Sequence, residues 1–163
     1  MKFDFKTHYK GNLTWLPERT IFMTVHGSRA YGTNTPESDY DYKGIAIEPK
    51  EYFFGCFKQF EQAEIHGDPD VVIYSLRKFI KLATDCNPNI IEVLFTDPSD
   101  WVIKTPLFEK LYENRHLFLS MKAKHSFSGY AVSQLKRAAT HRGWLLHPCD
   151  KEPMRADYGL DAH

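Results

Sequence analysis

Three features between residues 21 and 74 are able to do chemistry together. An apolar run, Thr20-Ile21-Phe22-Met23-Thr24-Val25, leads into Gly27-Ser28. Glycine lets the backbone turn sharply there and approach a ligand closely. A helix starting just after it would offer unpaired N–H groups to an anion, and the Ser28 hydroxyl can bind a phosphate oxygen. Ten residues on stands Ser38-Asp39-Tyr40-Asp41-Tyr42-Lys43. Side chains alternate along a strand, so Asp39, Asp41 and Lys43 share one face, and Tyr40 and Tyr42 point the other way. Two carboxylates so close repel each other. A hard cation that takes oxygen ligands, Mg²⁺ or Mn²⁺, removes that cost and suits carboxylates plus substrate phosphates. Asp70 opens a later strand. If that strand lies beside 39–47, Asp70 becomes a third carboxylate, because opposed residues have Cβ atoms roughly 4.5–5.5 Å apart. Three carboxylates can hold two metals about 3.5–4 Å apart, the separation used for in-line phosphoryl transfer. Glu64, on the preceding strand, competes with Asp70 for that place.

Each feature alone has a bland reading. Gly-Ser at a strand end is commonly a turn, and Asp-Tyr-Asp is commonly solvated charge. Their joint spacing favours the functional reading. Arg29 follows the loop and is placed to reach a triphosphate, with a surface ion pair as the alternative. Lys43 is a phosphate contact or a solvated strand lysine. His26 reads as a strand-end residue, not a catalytic base. Arg77, Lys78 and Lys81 lie on one polar helix side, which is solvated or tracks a nucleic-acid backbone. Lys136, Arg137, His141 and Arg142 form a second basic group. His141, His147 and Cys149 lack a fourth ligand and do not read as a zinc site.

The elements that must position these residues follow from periodicity. Strands are expected at 20–25, from Asp39 to Ile47, and in a hairpin over 57–74 around Gly67-Asp68-Pro69. From Ser75, a candidate N-cap, the spacing of Leu76, Phe79, Ile80 and Ala83 is helical. Asn87-Pro88 ends that helix. A short helix over Ile90–Phe95, one over 106–118 and a long one over 126–141 complete the pattern. Strands first and helices after predict an α+β fold. The expected division is a catalytic core over 1–100 and a helical C-terminal region over 101–163.

With those elements in place, the string His26-Gly27-Ser28-Arg29-Ala30-Tyr31-Gly32 through Ser38-Asp39-Tyr40-Asp41-Tyr42-Lys43-Gly44 resembles the polymerase-β-like nucleotidyltransferases. Within them it is closest to the RlaP-type nucleotidyltransferases linked to RNA repair. Leu76-Arg77-Lys78, Asn87-Pro88-Asn89 and Ser126-Phe127-Ser128-Gly129-Tyr130-Ala131 with Gln134-Leu135-Lys136-Arg137 extend the resemblance. It implies a small mixed sheet flanked by helices, with Asp39, Asp41 and Asp70 as metal ligands and Gly27, Ser28, Arg29 and Lys43 around the nucleotide. The implied reaction moves a nucleoside monophosphate from a triphosphate to an acceptor hydroxyl, on RNA or tRNA among other candidates, and releases pyrophosphate. It also implies a further helical segment after Arg155-Ala156-Asp157-Tyr158-Gly159-Leu160-Asp161, so the chain reads as a shortened form. The competing expectation is a non-catalytic nucleotide-binding module, antitoxin-like or a sensor.

Composition sets the outer bounds. The chain has 163 residues, with 21 basic and 21 acidic side chains. That balance gives no global field for non-specific nucleic-acid binding, so an anionic substrate must be met by local charge and metal. Three scattered cysteines read as a reducing, cytoplasmic setting rather than a disulfide framework. No apolar run is long enough for a membrane helix.

Overall fold

The computed structural model describes residues 3–148 and 154–159. Its elements in chain order are α1 (Phe5–His8), α2 (Leu16–Arg19), β1 (Thr20–His26), α3 (Gly27–Ala30), β2 (Asp41–Ala46), α4 (Lys50–Phe54), β3 (Gln62–Ile65), β4 (Asp70–Ser75), α5 (Leu76–Thr84), α6 (Pro88–Leu94), β5 (Trp101–Lys104), α7 (Pro106–Glu113) and α8 (Lys122–Leu146). The strands form one sheet in the order β3-β4-β2-β1-β5. β2 and β4 run parallel, and the other pairs are antiparallel. The fold is therefore mixed α+β, as expected.

Alternation along the strands separates two cores. On one face Phe22, Ile45, Phe79, Ile90, Leu94 and Phe108 pack together beneath α5, α6 and α7. Phe22 and Phe108 stack with ring centroids 3.5 Å apart. On the other face Met23, Tyr42, Val71 and Ile73 are covered by Phe3, Leu16 and Phe60. The helix ends follow local chemistry. Ser75 caps α5 by accepting the Lys78 N–H at 3.1 Å. Thr105 caps α7, with Pro106 in its first turn.

Several boundaries differ from expectation. The β2 ladder begins at Asp41, not Asp39, because the Tyr40 N–H goes to the Asp68 carboxylate at 3.2 Å instead of to a strand. β3 is confined to Gln62–Ile65, and residues from Phe57 to Glu61 stay outside it. α8 runs longer at both ends than 126–141. β5 was not expected at all. Four residues carry too little pattern to show a strand, yet they pair with β1. The region from 101 thus opens with a strand of the sheet, and the first compact unit spans Met1–Ser126. The second unit is Phe127–His163. Its described part holds the rest of α8 and a 3₁₀ turn at Arg155–Tyr158. No residue of α8 is buried, and Phe127, Tyr130 and Leu135, which helical spacing puts on one side, are all exposed. Cys149, Leu160 and Asp161 lie outside the described residues.

Candidate active site

The register of the sheet places the acidic residues. On the face that carries Phe22, the paired residues of β1, β2 and β4 form three successive rows. Phe22, Ile45 and Tyr74 make the first, Thr24, Lys43 and Val72 the second, and His26, Asp41 and Asp70 the third. Period-two alternation makes this arrangement unavoidable once the register is set. The first row is closed core. The third is a carboxylate pair at the end of the sheet.

Asp41 and Asp70 stand directly opposite each other on parallel strands. Glu64 shares the face but is in register with Val72, one row away from Asp41. It is engaged by Gln62 and lies 3.3 Å from His66 Nε2. Asp39 precedes the ladder and is exposed. Burial raises the Asp41 pKa, the Asp39 and Asp70 charges raise it further, and Lys43 opposes them. Like charges held this close favour the neutral form of one of them.

The Gly27–Ala30 turn packs against Asp41. Gly27 adopts a left-handed conformation, φ +64°, which L side chains rarely take. A Cβ on Gly27 would run into the Asp41 carboxylate and sit 2.9 Å from its Cγ. Glycine is therefore required twice, by the backbone and by the carboxylate against it. Ser28 follows at the start of the turn, and its carbonyl accepts the Thr33 N–H at 2.9 Å.

Arg29 holds the turn to the acidic segment. Its Nε donates to the Asp39 carbonyl at 3.0 Å, and its Nη2 donates to the Ser38 carbonyl. Its guanidinium lies 3.8 Å from the Tyr40 ring centroid. Tyr40 is pinned in turn, since its carbonyl accepts the Asp70 N–H at 2.9 Å. Arg29 reads in the sequence as a triphosphate contact or a surface ion-pair partner, and the structure engages it with backbone carbonyls. Tyr31 donates to Glu92 of α6 at 2.5 Å, which ties the far side of the turn to the helical layer.

His26 was set aside in the sequence as a strand-end residue. It is buried in the third row beside Asp41, and its Nδ1 has no hydrogen-bond partner among the described residues. Burial, helped by Lys43, depresses its pKa to about 4. The period-two series Phe22, Thr24, His26 was the signal that could have placed it on the acidic face. Glu92 and Tyr31, which meet across 61 residues, carried no such signal.

These residues suit a hard divalent cation. The Asp70 Oδ1 is buried without a hydrogen-bond partner among the described residues, and His66 Nδ1 stands 3.7 Å away. A buried carboxylate oxygen without a hydrogen bond, on a residue in register with a second carboxylate, is costly unless something neutralises it. All donors are oxygen, the preference of Mg²⁺. Among the described residues no three acidic, histidine or cysteine side chains already converge as a closed ligand set. The cradle is the opposed pair, with Asp39 at its rim.

Residues 5–144 match the family described as the RNA repair pathway DNA polymerase beta family. The chain belongs to that family. It is 31% identical over 131 residues to an uncharacterized 38.9 kDa protein of the nrdC-mobD intergenic region of Enterobacteria phage T4, a match covering 73% of this chain and 38% of the phage protein. It is 32% identical over 81 residues to the uncharacterized protein YcgL of Bacillus subtilis, covering 48% of this chain and 31% of YcgL. With the uncharacterized protein MJ0002 of Methanocaldococcus jannaschii it shares 33% identity over 85 residues, 49% of this chain and 35% of that one. The chain spans about a third of the length of these relatives. No solved structure matches. No described helix is long and apolar enough to cross a membrane.

Proposed function

We propose that the chain carries a metal-dependent nucleotidyltransferase site, which moves a nucleoside monophosphate from a nucleoside triphosphate to an acceptor hydroxyl. The single observation that carries this reading is the register of Asp41 against Asp70, with the Asp41 carboxylate seated where Gly27 has no Cβ. Family membership supports it.

Asp41 and Asp70 would hold Mg²⁺ or Mn²⁺, with Asp39 completing the donor set from the rim. When bound, the metal neutralises phosphate charge and lowers the barrier to in-line displacement. The Gly27-Ser28 turn receives the triphosphate, and the Ser28 hydroxyl donates to a phosphate oxygen. Lys43, one row behind Asp41, adds positive charge under the phosphates. The acceptor oxygen attacks the α-phosphorus, the bond to the β-phosphate oxygen breaks, and pyrophosphate leaves. Asp70 orients the acceptor hydroxyl and takes its proton. Arg29 keeps the turn and the Ser38–Asp39 segment together, so catalysis is mostly positioning and charge stabilisation. RNA or tRNA ends are the acceptors tested first, and the reaction is assigned to a reducing, cytoplasmic setting.

Incubation with each α-labelled triphosphate, Mg²⁺ or Mn²⁺, and a panel of RNAs, small molecules and total protein tests the reading. Label is expected on an acceptor with the parent chain and not with Asp39→Ala or Asp41→Ala. Full turnover in either variant refutes the assignment. Calorimetric binding of Mg-ATP with no transfer to any acceptor replaces it with the non-catalytic module.

A further inference from the structure

A second surface of the molecule lies at the other end of β4. The segment from α4 to Phe60 leaves three phenyl rings in solvent. Phe53 is 44% exposed, Phe54 83% and Phe57 100%. The same chain buries Phe3, Phe22, Phe60, Phe79 and Phe108. Large apolar side chains grouped in solvent mark an interaction site.

Cations are interleaved with these rings. Residues 50–61 and 75–82 contain Lys50, Lys58, Arg77, Lys78 and Lys81 against Glu51 and Glu61 only. The chain as a whole is neutral, so this excess is local. The Arg77 guanidinium lies 5.2 Å from the Phe53 ring centroid, and the Lys58 ammonium 5.7 Å from that of Tyr52. Lys78 is already bound to Glu61 at 2.9 Å, which leaves Arg77 and Lys81 as the cations of α5 outside that ion pair. Both line a groove of about 370 Å³, whose other walls are Phe60, Ser75, Leu82 and the Glu61–Lys78 ion pair.

We propose that this α4–α5 surface binds a single-stranded nucleic acid, with bases stacked on Phe54 and Phe57 and phosphates against Arg77 and Lys81. Charge complementarity selects a polyanion. The flat exposed rings select one whose every charged unit carries a stacking face, as a nucleotide does and an Asp or Glu residue does not. Every base has a stacking face, so such a platform reads no sequence. A duplex keeps those faces inside its own stack and cannot use the rings. β4 begins at Asp70 and ends at Ser75, which puts the surface roughly 16 Å from the carboxylate pair at about 3.3 Å per residue. The two sites are separate, and the inference holds whether or not the carboxylates transfer a nucleotide.

The test is fluorescence anisotropy of a labelled oligouridylate, titrated with the full chain in Mg²⁺-free buffer over a salt series. The altered side chains are exposed, and circular dichroism checks each variant for folding. Phe54→Ser with Phe57→Ser is expected to weaken binding about tenfold or more. Arg77→Gln with Lys81→Gln is expected to weaken it comparably and to reduce the salt slope by roughly 1.4, from about 0.7 per phosphate contact on a single strand. Equal binding of a duplex of the same length overturns the proposal. So does affinity unchanged in both variants, or absence of binding at low salt. Concentration-dependent self-association that disappears in the phenylalanine variant makes the surface an interface between copies and also overturns it.

Discussion

One sheet face carries two ends of opposite character. At Phe22–Ile45–Tyr74 the side chains are apolar and the aromatic packing is continuous, through the Phe22–Phe108 stack and the edge contacts of Trp101 with Phe22, Phe108 and Tyr112. Two rows along the same strands, His26 and Asp70 each hold a buried polar atom with no hydrogen-bond partner among the described residues, and Asp41 and Asp70 carry carboxylates that repel. The difference shows which end folds the protein and which end the fold must carry. Apolar burial stabilises at roughly 25 cal/mol per Å². Uncompensated polar burial costs. A local departure from good packing is expected where function requires it.

If that division is right, the largest loss of stability lies at the apolar end. Phe22→Ala removes a fully buried ring and should cost about 3–5 kcal/mol, read from the urea midpoint. A cost below about 1 kcal/mol would mean that this end is not the anchor. At the polar end the sign reverses. Asp41→Asn should abolish transfer by more than roughly 100-fold, beyond the losses typical of outer-shell partners, without lowering the melting temperature. Its raised pKa means that ionisation of Asp41 opposes folding, so a neutral amide removes that opposition.

Acid should sharpen the contrast. The folded His26 pKa of about 4 lies below the ordinary value of 6.5. The unfolded chain therefore binds the proton first, and stability falls as pH drops from about 6.5 to about 4. Urea midpoints at neutral and acid pH measure the fall, on the order of 3 kcal/mol, and His26→Gln should reduce it. An unchanged fall in that variant assigns the effect to other groups.

Smaller effects concern the loop over the carboxylates. Gly27→Ala should lose about 1–2 kcal/mol from its left-handed backbone and displace Asp41, so Mn²⁺ affinity should drop in parallel with stability. Retained affinity would show that the carboxylate does not depend on the turn. Arg29→Lys keeps the charge but loses the paired donation to the Ser38 and Asp39 carbonyls. Roughly tenfold weaker Mn²⁺ binding without nucleotide is expected, since supporting groups contribute about 10–100-fold. Weaker triphosphate binding with Mn²⁺ affinity intact would return Arg29 to the phosphates.

Much of this was legible in the residues themselves. The alternation of Asp41 and Lys43, the apolar run into Gly27, the Ser75 cap and the β3–β4 hairpin depend on neighbours a few positions apart. Local periodicity and turn chemistry fix such features, which is why the α+β class and the acidic face could be anticipated. What the chain alone left open depends on contacts between distant segments. Only the parallel register of β2 and β4 decided that Asp70, not Glu64, faces Asp41. Only tertiary structure brought Arg29 onto the Ser38 and Asp39 carbonyls, put β5 into the sheet beside β1, and seated His26 in the acidic row. A register shift of one residue would have turned every side chain of β4 to the other face. That choice is made by the packing of the whole sheet against its helices, which no short stretch of sequence contains.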